Sequence, residues 1–131
     1  MAWSFSPHHP VYYQVAERIR QSILSGEYAP GEQIPSVRQL ALEAAVNPNT
    51  IQHAFSELED QGLIEERGTT GRFVTSDLSA IENCRKFEAQ RLVRDFCAKA
   101  SLLNIPAETL IGMIREDDAL QYEKEDGNER S

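Results

Sequence analysis

The stretch from Gln33 to Val74 combines apolar residues at helical spacing with a short hairpin pattern. Ser36, with Gln39 three residues later, predicts a capping box at the start of a first short helix. Asn47 followed by Pro48 predicts the start of a second helix, because Asn caps helices well and Pro is tolerated at the first helical position. These signals predict two short helices joined by a brief connection.

The second of these helices has two very different faces. Ile51, Phe55 and Leu58 fall on one side, which we expect to be buried. The opposite side carries amides, hydroxyls and an imidazole where a surface helix usually carries Lys, Glu or Arg. Such groups both donate and accept hydrogen bonds, as reading base edges in a major groove requires. They belong to Asn49, Gln52, His53 and Ser56, with Thr50 at the edge of the first turn.

A glycine-rich hairpin follows the second helix. Leu63-Ile64 predicts one strand, residues 67–72 the tip, and Phe73-Val74 the returning strand. Arginines on a flexible tip suit contacts with phosphates or with the minor groove. The whole stretch therefore predicts a winged helix-turn-helix. A helix-helix-hairpin unit that serves only as a protein-interaction module is the alternative.

The run from Val11 to Thr75 resembles the DNA-binding domain of the GntR family of bacterial transcription regulators. The matching segments occur in the same order and cover about half the chain. They read PVYYQ at 10–14, GEYAPG at 26–31, IPSVRQLA at 34–41, VNPNTI at 46–51, LEDQGLI at 58–64 and GRFV at 71–74.

The resemblance implies particular DNA contacts. In the family, one arginine, residues at the start of the recognition helix, and wing glycines approach DNA. Many members carry arginines where this chain has Pro48 and Gln52, and the Asn-Pro-Asn-Thr run instead resembles the YtrA-type subfamily. The operator bases of other branches therefore do not transfer to this chain. The contacts that the resemblance implies are Arg38, Asn49, Thr50 and Gly71.

Roles can also be assigned from the residue types. Amide and imidazole groups suit base edges, whereas arginines and hydroxyls suit phosphates. We expect Asn49, Gln52 and His53 to read base edges. We expect Thr50 and Arg38 to contact phosphate or bases, and Arg67, Thr70 and Arg72 to act in the wing.

Helical patterns flank the central stretch on both sides. Residues 11–25 predict a helix whose apolar stripe includes Tyr12, Val15 and Ile19, with Arg18 and Arg20 off the stripe. The ten residues before it predict an irregular arm, in which Trp3 and Phe5 lie against the body or a partner subunit. After Thr75, Ser76-Asp77 predicts the cap of a long helix to about Leu103, and a second helix restarts at Pro106 or Ala107.

Two helices of this length cannot close a core alone. We therefore expect them to bury their apolar stripe against the same hairpin of a second subunit, in a two-fold homodimer. The rival interpretation packs the hairpin on its own winged helix. The predicted interface residues are Leu78, Ile81, Leu92, Val93, Phe96, Leu103, Leu110 and Ile114.

The predicted fold is mainly α with a small β-hairpin wing. Residues 1–76 form the DNA-binding domain, 77–121 the dimerisation hairpin, and 122–131 a charged, apolar-poor tail predicted to be disordered. The 55 residues after Ser76 are too few for the large effector-binding domains of several GntR branches. A small-molecule effector is left open, and it would have to sit at the dimer interface.

The total net charge of −8 does not favour binding to DNA, which is itself negatively charged. Residues 1–76 hold 5 Lys and Arg against 9 Asp and Glu, and residues 77–131 hold 8 against 12. The placement of Arg38, Arg67 and Arg72 on the proposed DNA side is more favourable. Few phosphates would be neutralised, so we expect weak binding to non-specific DNA.

Other function classes lack support in the sequence. The glycines at 68 and 71 are not followed by the Gly-Lys-Ser/Thr of a phosphate-binding loop, and no nucleophile–base pair or metal spacing occurs. We therefore expect no enzyme activity, cofactor or metal. Cys84 and Cys97 are too far apart on one helix to bridge each other, and we expect reduced thiols. With no membrane-spanning or signal segment, a cytoplasmic location is expected.

Overall fold

A computed structural model describes residues 3–129, with side chains described for residues 3–121. This range contains five helices and a two-stranded antiparallel hairpin, which confirms a mainly α fold with a small wing. The strands pair Ile64 with Val74 and Glu66 with Arg72. The elements are α1 (Val11–Leu24), α2 (Val37–Ala44), α3 (Pro48–Asp60), β1 (Ile64–Glu66), β2 (Arg72–Val74), α4 (Leu78–Leu102) and α5 (Ala107–Glu129).

The predicted helix starts are confirmed by their hydrogen bonds. Ser36 Oγ accepts from the Gln39 amide at 3.1 Å, and Gln39 Oε1 accepts from the Ser36 amide at 3.0 Å. Asn47 Oδ1 accepts from the Asn49 amide at 2.8 Å, and Pro48 is the first residue of α3. Each cap satisfies backbone donors that a helix start otherwise leaves without partners.

Helices α1, α2 and α3 enclose a single apolar core. The turn between α2 and α3 passes through Ala45, which adopts a left-handed conformation with φ of 58°. The predicted buried face of α3 is confirmed, since its three apolar residues are all no more than 1% exposed. The largest fully buried side chains of the core are Phe55, Ile19, Leu40, Ile51, Leu58, Leu63, Val15 and Val74.

The wing is wider than the predicted hairpin, because the segment before α2 pairs with the free edge of β2. The amide of Ile34 donates to the Arg72 carbonyl at 3.0 Å, and the amide of Val74 donates to the Glu32 carbonyl at 2.8 Å. Gln33 lies opposite Phe73 in this pairing. The wing is thereby anchored on both sides of its second strand.

The start of α4 belongs to the winged-helix unit. Ile81 was predicted to lie in a dimer interface, but it is 5% exposed and packs in the core cluster with α1 and α3, so that assignment is wrong. Arg85 Nη2 also donates to the Leu24 carbonyl at 2.7 Å. The chain has two compact units, Met1–Phe87 and Glu88–Ser131, and the predicted domain boundary at residue 76 stays a prediction.

The N-terminal arm and one arginine of α1 complete this first unit. Trp3 and Phe5 pack against the core cluster. This agrees with the first of the two predicted positions, against the body of the same subunit. Arg20, predicted to lie off the apolar stripe, is instead 5% exposed. It can be buried because its guanidinium has partners: Nε donates to Gln61 Oε1 at 3.0 Å, and Nη1 pairs with Glu17.

The second unit contains the rest of α4 and all of α5. Helix α5 continues to Glu129, whereas the sequence predicted a disordered tail from residue 122. Apart from Gly127, the added residues are mostly compatible with a helix interior, which favours its extension. The last two residues of the predicted tail, 130–131, lie outside the described residues. Within the described part, neither these helices nor the others are long and apolar enough to cross a bilayer.

Candidate nucleic-acid interface

The first turns of α3 present a row of polar side chains to solvent. The cap at Asn47 fixes where this helix begins, and so fixes which residues its outer face carries. Asn49, Gln52 and His53 are exposed and Thr50 is half-buried, while the opposite face is buried. The side-chain amide of Asn49 bonds to no other described residue, which leaves both its donor and its acceptor available.

His53 is supported by a residue of another helix. The ring of Tyr12, in the first turn of α1, stacks on the imidazole with centroids 3.5 Å apart and planes 8° from parallel. Tyr12 was predicted only as part of the apolar stripe of α1. Because one face of the imidazole is covered, His53 can offer its ring edge, where both nitrogens lie, to a ligand.

Arg72 joins the wing to α3. Its Nε donates to Glu59 Oε1 at 2.7 Å, and its Nη2 donates to Gln52 Oε1 at 3.1 Å. The guanidinium carbon also lies 4.8 Å from the centroid of the Phe55 ring. Two predicted DNA contacts, one on the helix and one in the wing, are therefore bonded to each other, and an acidic residue holds the pair.

The tip of the wing is ordered by contacts within it and with Gln33. Gln33 Nε2 donates to the Thr70 carbonyl at 2.6 Å. Arg67 Nη2 lies 3.2 Å from Glu65 Oε1, and its guanidinium carbon lies 4.5 Å from the Phe73 ring centroid. Gly71 has φ of 123°, and a Cβ atom there would lie 2.8 Å from Gln33 Nε2. Because residues with a Cβ atom rarely adopt this φ, the backbone favours glycine here, as the family resemblance also implies.

Arg38 differs from the wing arginines. It lies on α2, is exposed, and forms no hydrogen bond or ion pair with any described residue. The side chains of Arg67 and Arg72, in contrast, are each paired with a carboxylate. Among the three arginines predicted to face DNA, Arg38 is the one with an unshared positive charge, which suits a phosphate oxygen.

The exposed face of α3 and the wing offer hydrogen-bond donors and acceptors. The described residues contain no group of three or more His, Cys, Asp or Glu that could hold a metal ion. Sequence reasoning missed Tyr12, Gln33 and Glu59, whose partners lie far along the chain. For Tyr12, the sequence offered one signal: a side chain that is part apolar and part polar, within the predicted apolar stripe of α1.

Comparisons with known proteins agree with this geometry. The family model of "Bacterial regulatory proteins, gntR family" matches residues 11–74. The chain is 30% identical over 111 residues to the uncharacterized HTH-type transcriptional regulator YhcF of Bacillus subtilis, covering 85% of this chain and 92% of YhcF. It is 37% identical over 68 residues to the HTH-type transcriptional repressor YtrA of the same organism, covering 52% of each chain.

Solved structures extend the similarity to the three-dimensional fold. A GntR family transcriptional regulator from Listeria monocytogenes superposes with a TM-score of 0.80 at 35% identity, covering 86% of this chain and 98% of that one. The DNA-binding domain of AraR in complex with operator ORX1 gives a TM-score of 0.54 at 30% identity, covering 57% of this chain and 95% of the AraR chain. The matched winged helix and the near full-length relatives show that this chain belongs to the GntR family, as a DNA-binding transcriptional regulator with YtrA-like relatives.

Proposed function

We propose that this regulator is a cytoplasmic repressor that binds a pseudo-palindromic operator as a homodimer. The observation that carries the proposal is the polar face of α3, where exposed Asn49, Gln52 and His53 stand on a helix whose other face is buried. YtrA, which is named as a transcriptional repressor, is 37% identical to this chain over 68 residues. A dimer bound across a promoter would block access to it.

The proposed division of labour follows from the contacts of each side chain. Asn49, Gln52 and His53 supply donors and acceptors for base edges in the major groove. Arg38, on α2, has an unshared charge and would bind phosphate. Thr50, in the first turn of α3, would add a phosphate or base contact. The wing residues Arg67, Thr70, Gly71 and Arg72 would lie toward the neighbouring minor groove or backbone.

The second unit supports the dimer. An open apolar groove of about 790 Å³ lies between the end of α4 and the start of α5. Several of its apolar side chains are strongly exposed, including Leu92 at 67%, Val93 at 60% and Ile114 at 56%. A second copy would cover this surface, because large exposed apolar patches mark interaction sites. Leu78 at 62% and Leu103 at 72% exposure, with Phe96 and the half-buried Leu110, complete the proposed interface.

Selection of bound duplexes from a random library at moderate salt tests DNA reading. We expect enrichment of a two-fold motif, with half-sites about ten base pairs, or about 34 Å, apart. A single enriched half-site would keep the DNA function and contradict the dimer. No enrichment would contradict the proposal and favour a protein-interaction module. An effector, if the protein has one, would be revealed by ligands that alter this selection.

Leu92→Glu tests the dimer independently of DNA. A charge at this position would be buried against the partner, so we expect sedimentation to show a monomer with unchanged helical circular dichroism. Gln90→Glu adds the same charge at an exposed position that does not line the groove, and it should remain dimeric. A Leu92→Glu protein that stays dimeric would contradict the proposed interface.

A further inference from the structure

We propose that Arg72 determines sequence specificity by fixing Gln52 as a hydrogen-bond donor that selects guanine over adenine in each half-site. The inference rests on the proposed function, since it concerns how the same face of α3 reads bases. It gives Arg72 a task other than the wing contact predicted from the sequence. Arg72 acts here as a positioning residue, and Gln52 makes the base contact.

The Arg72 guanidinium is held in place. Its Nε is bonded to Glu59 Oε1 at 2.7 Å, and its carbon lies 4.8 Å from the centroid of the buried Phe55 ring. The side chain of Arg72 is 19% exposed and that of Glu59 is 30% exposed. An ion pair that is partly shielded from water and backed by an aromatic ring holds a side chain more firmly than an exposed pair.

Arg72 in turn fixes the orientation of the Gln52 amide. Arg72 Nη2 lies 3.1 Å from Gln52 Oε1. A guanidinium carries donors and no acceptor, so the amide group that faces it must be the carbonyl oxygen. This assignment follows from the chemistry of the two groups. This bond fixes the orientation of the amide, and the NH2 group of Gln52, which has no partner among the described residues, is the part we expect to face a ligand.

The NH2 group of Gln52 matches the edge of guanine better than that of adenine. A free glutamine recognises adenine by donating to N7 and accepting from the N6 amino group, and the acceptance needs its carbonyl oxygen. In this protein that oxygen is already directed to Arg72. The guanine edge presents two acceptors, N7 and O6, and needs donors alone. The NH2 group of Gln52 satisfies that edge without competing with Arg72.

The test compares the motifs selected from random duplexes by four proteins: wild type, Gln52→Ala, Arg72→Met and the double variant. Gln52→Ala identifies the base pair that Gln52 reads, as the position where preference is lost. We expect wild type to prefer guanine there by about tenfold, the scale of one good bidentate contact. Arg72→Met should move this preference toward adenine. In the Gln52→Ala background, it should cause no further change in base preference.

Arg67→Met is the matched control, because Arg67 is also a wing arginine paired with a carboxylate but has no bond to Gln52. As a wing residue, it should lower affinity for all duplexes to a similar extent and leave the guanine preference in place. Should Arg72→Met fold poorly, Arg72→Lys retains a charge for Glu59 without the planar fork that reaches two partners. The lysine variant should shift the preference in the same direction.

Two results would overturn the inference while leaving the proposed function intact. One is an adenine preference in the wild type at the position read by Gln52. The other is a uniform loss of affinity in Arg72→Met with an unchanged guanine preference, as expected if Arg72 only contacts phosphate. A wild-type protein that enriches no motif would overturn both the inference and the proposed function.

Discussion

The phenol ring of Tyr12 lies flat on the imidazole ring of His53, with centroids 3.5 Å apart and an angle of 8° between the planes. This stack connects the first turn of α1 to the exposed face of α3. Helix α1 therefore does more than cover the core, since it supports a side chain that we propose to read DNA. The stack limits the rotamers of His53 before any DNA is bound, and so lowers the entropy lost on binding.

Replacing Tyr12 should weaken DNA binding without unfolding the protein. We expect Tyr12→Ala to lower affinity for a selected duplex by about three- to tenfold, because an aromatic pair contributes roughly 0.5–1.5 kcal/mol. Tyr12→Phe keeps the stacked ring and should bind like wild type. Fluorescence anisotropy on one labelled duplex measures both, and equal affinity of all three proteins would contradict a supporting role for Tyr12.

Arg38 should contribute charge rather than sequence preference. Because its guanidinium is exposed and has no partner among the described residues, Arg38→Ala should weaken binding to all duplexes to a similar extent. The plot of log affinity against log salt concentration has a negative slope, and the magnitude of that slope should decrease by about 1. Arg115→Ala, an exposed arginine of α5, is the control and should leave the slope unchanged. A changed motif with an unchanged slope would assign Arg38 to a base.

The two wing glycines should tolerate substitution very differently. Gly68 has φ of 54°, and a Cβ atom there would meet no other atom within 4 Å. Asparagine adopts this left-handed conformation readily. Gly71 has φ of 123°, and its Cβ would lie 2.8 Å from Gln33 Nε2. We expect Gly71→Asn to destabilise the protein by about 1–3 kcal/mol in urea unfolding, and Gly68→Asn to have little effect. Equal stability of both variants would contradict the expectation that a side chain at position 71 strains the backbone.

Asp77 should make the start of α4 sensitive to acid. A hydrogen bond from the Ser79 hydroxyl, with others from the amides of Ala80 and Ser79, holds the pKa of the Asp77 carboxyl below its ordinary value. A carboxyl whose pKa is lower in the folded state stabilises the fold fully above its unfolded pKa, and less as pH falls through the folded pKa.

Asp77→Asn keeps an oxygen that can cap the helix but cannot titrate. The difference in unfolding free energy between wild type and Asp77→Asn should therefore be constant from neutral pH to about pH 5, and shrink below about pH 4. Urea unfolding across this range measures it. A difference that does not change with pH would show that the Asp77 charge contributes nothing to the cap.

Local signals made much of the fold predictable. The capping box of Ser36 and Gln39, the Asn47 cap and the apolar face of α3 all depend on residues close in sequence, and all are confirmed. Ile81 and Arg20 could not be placed in this way. Their burial depends on contacts between elements far apart in the chain, and an apolar stripe does not tell which neighbour will cover it.

The candidate site shows the same limit. The residue types on α3 indicated nucleic-acid binding, because their hydrogen-bonding groups lie on one helix face. The bond between Arg72 and Gln52 joins residues on a strand and a helix, so no local pattern indicated that one predicted DNA contact holds another. The placement of these residues on α3 and in the wing was predictable from the sequence, whereas their contacts with one another depend on the packed structure.

The most direct test of the account is the affinity for a selected duplex compared with a duplex in which the same base pairs are shuffled, at one salt concentration. Sequence reading by α3 predicts a ratio of about a thousandfold or more in favour of the selected duplex. The carboxylates that pair with both wing arginines, together with the net charge of −8, predict weak binding to the shuffled duplex. Equal affinity for the two duplexes would contradict sequence-specific recognition.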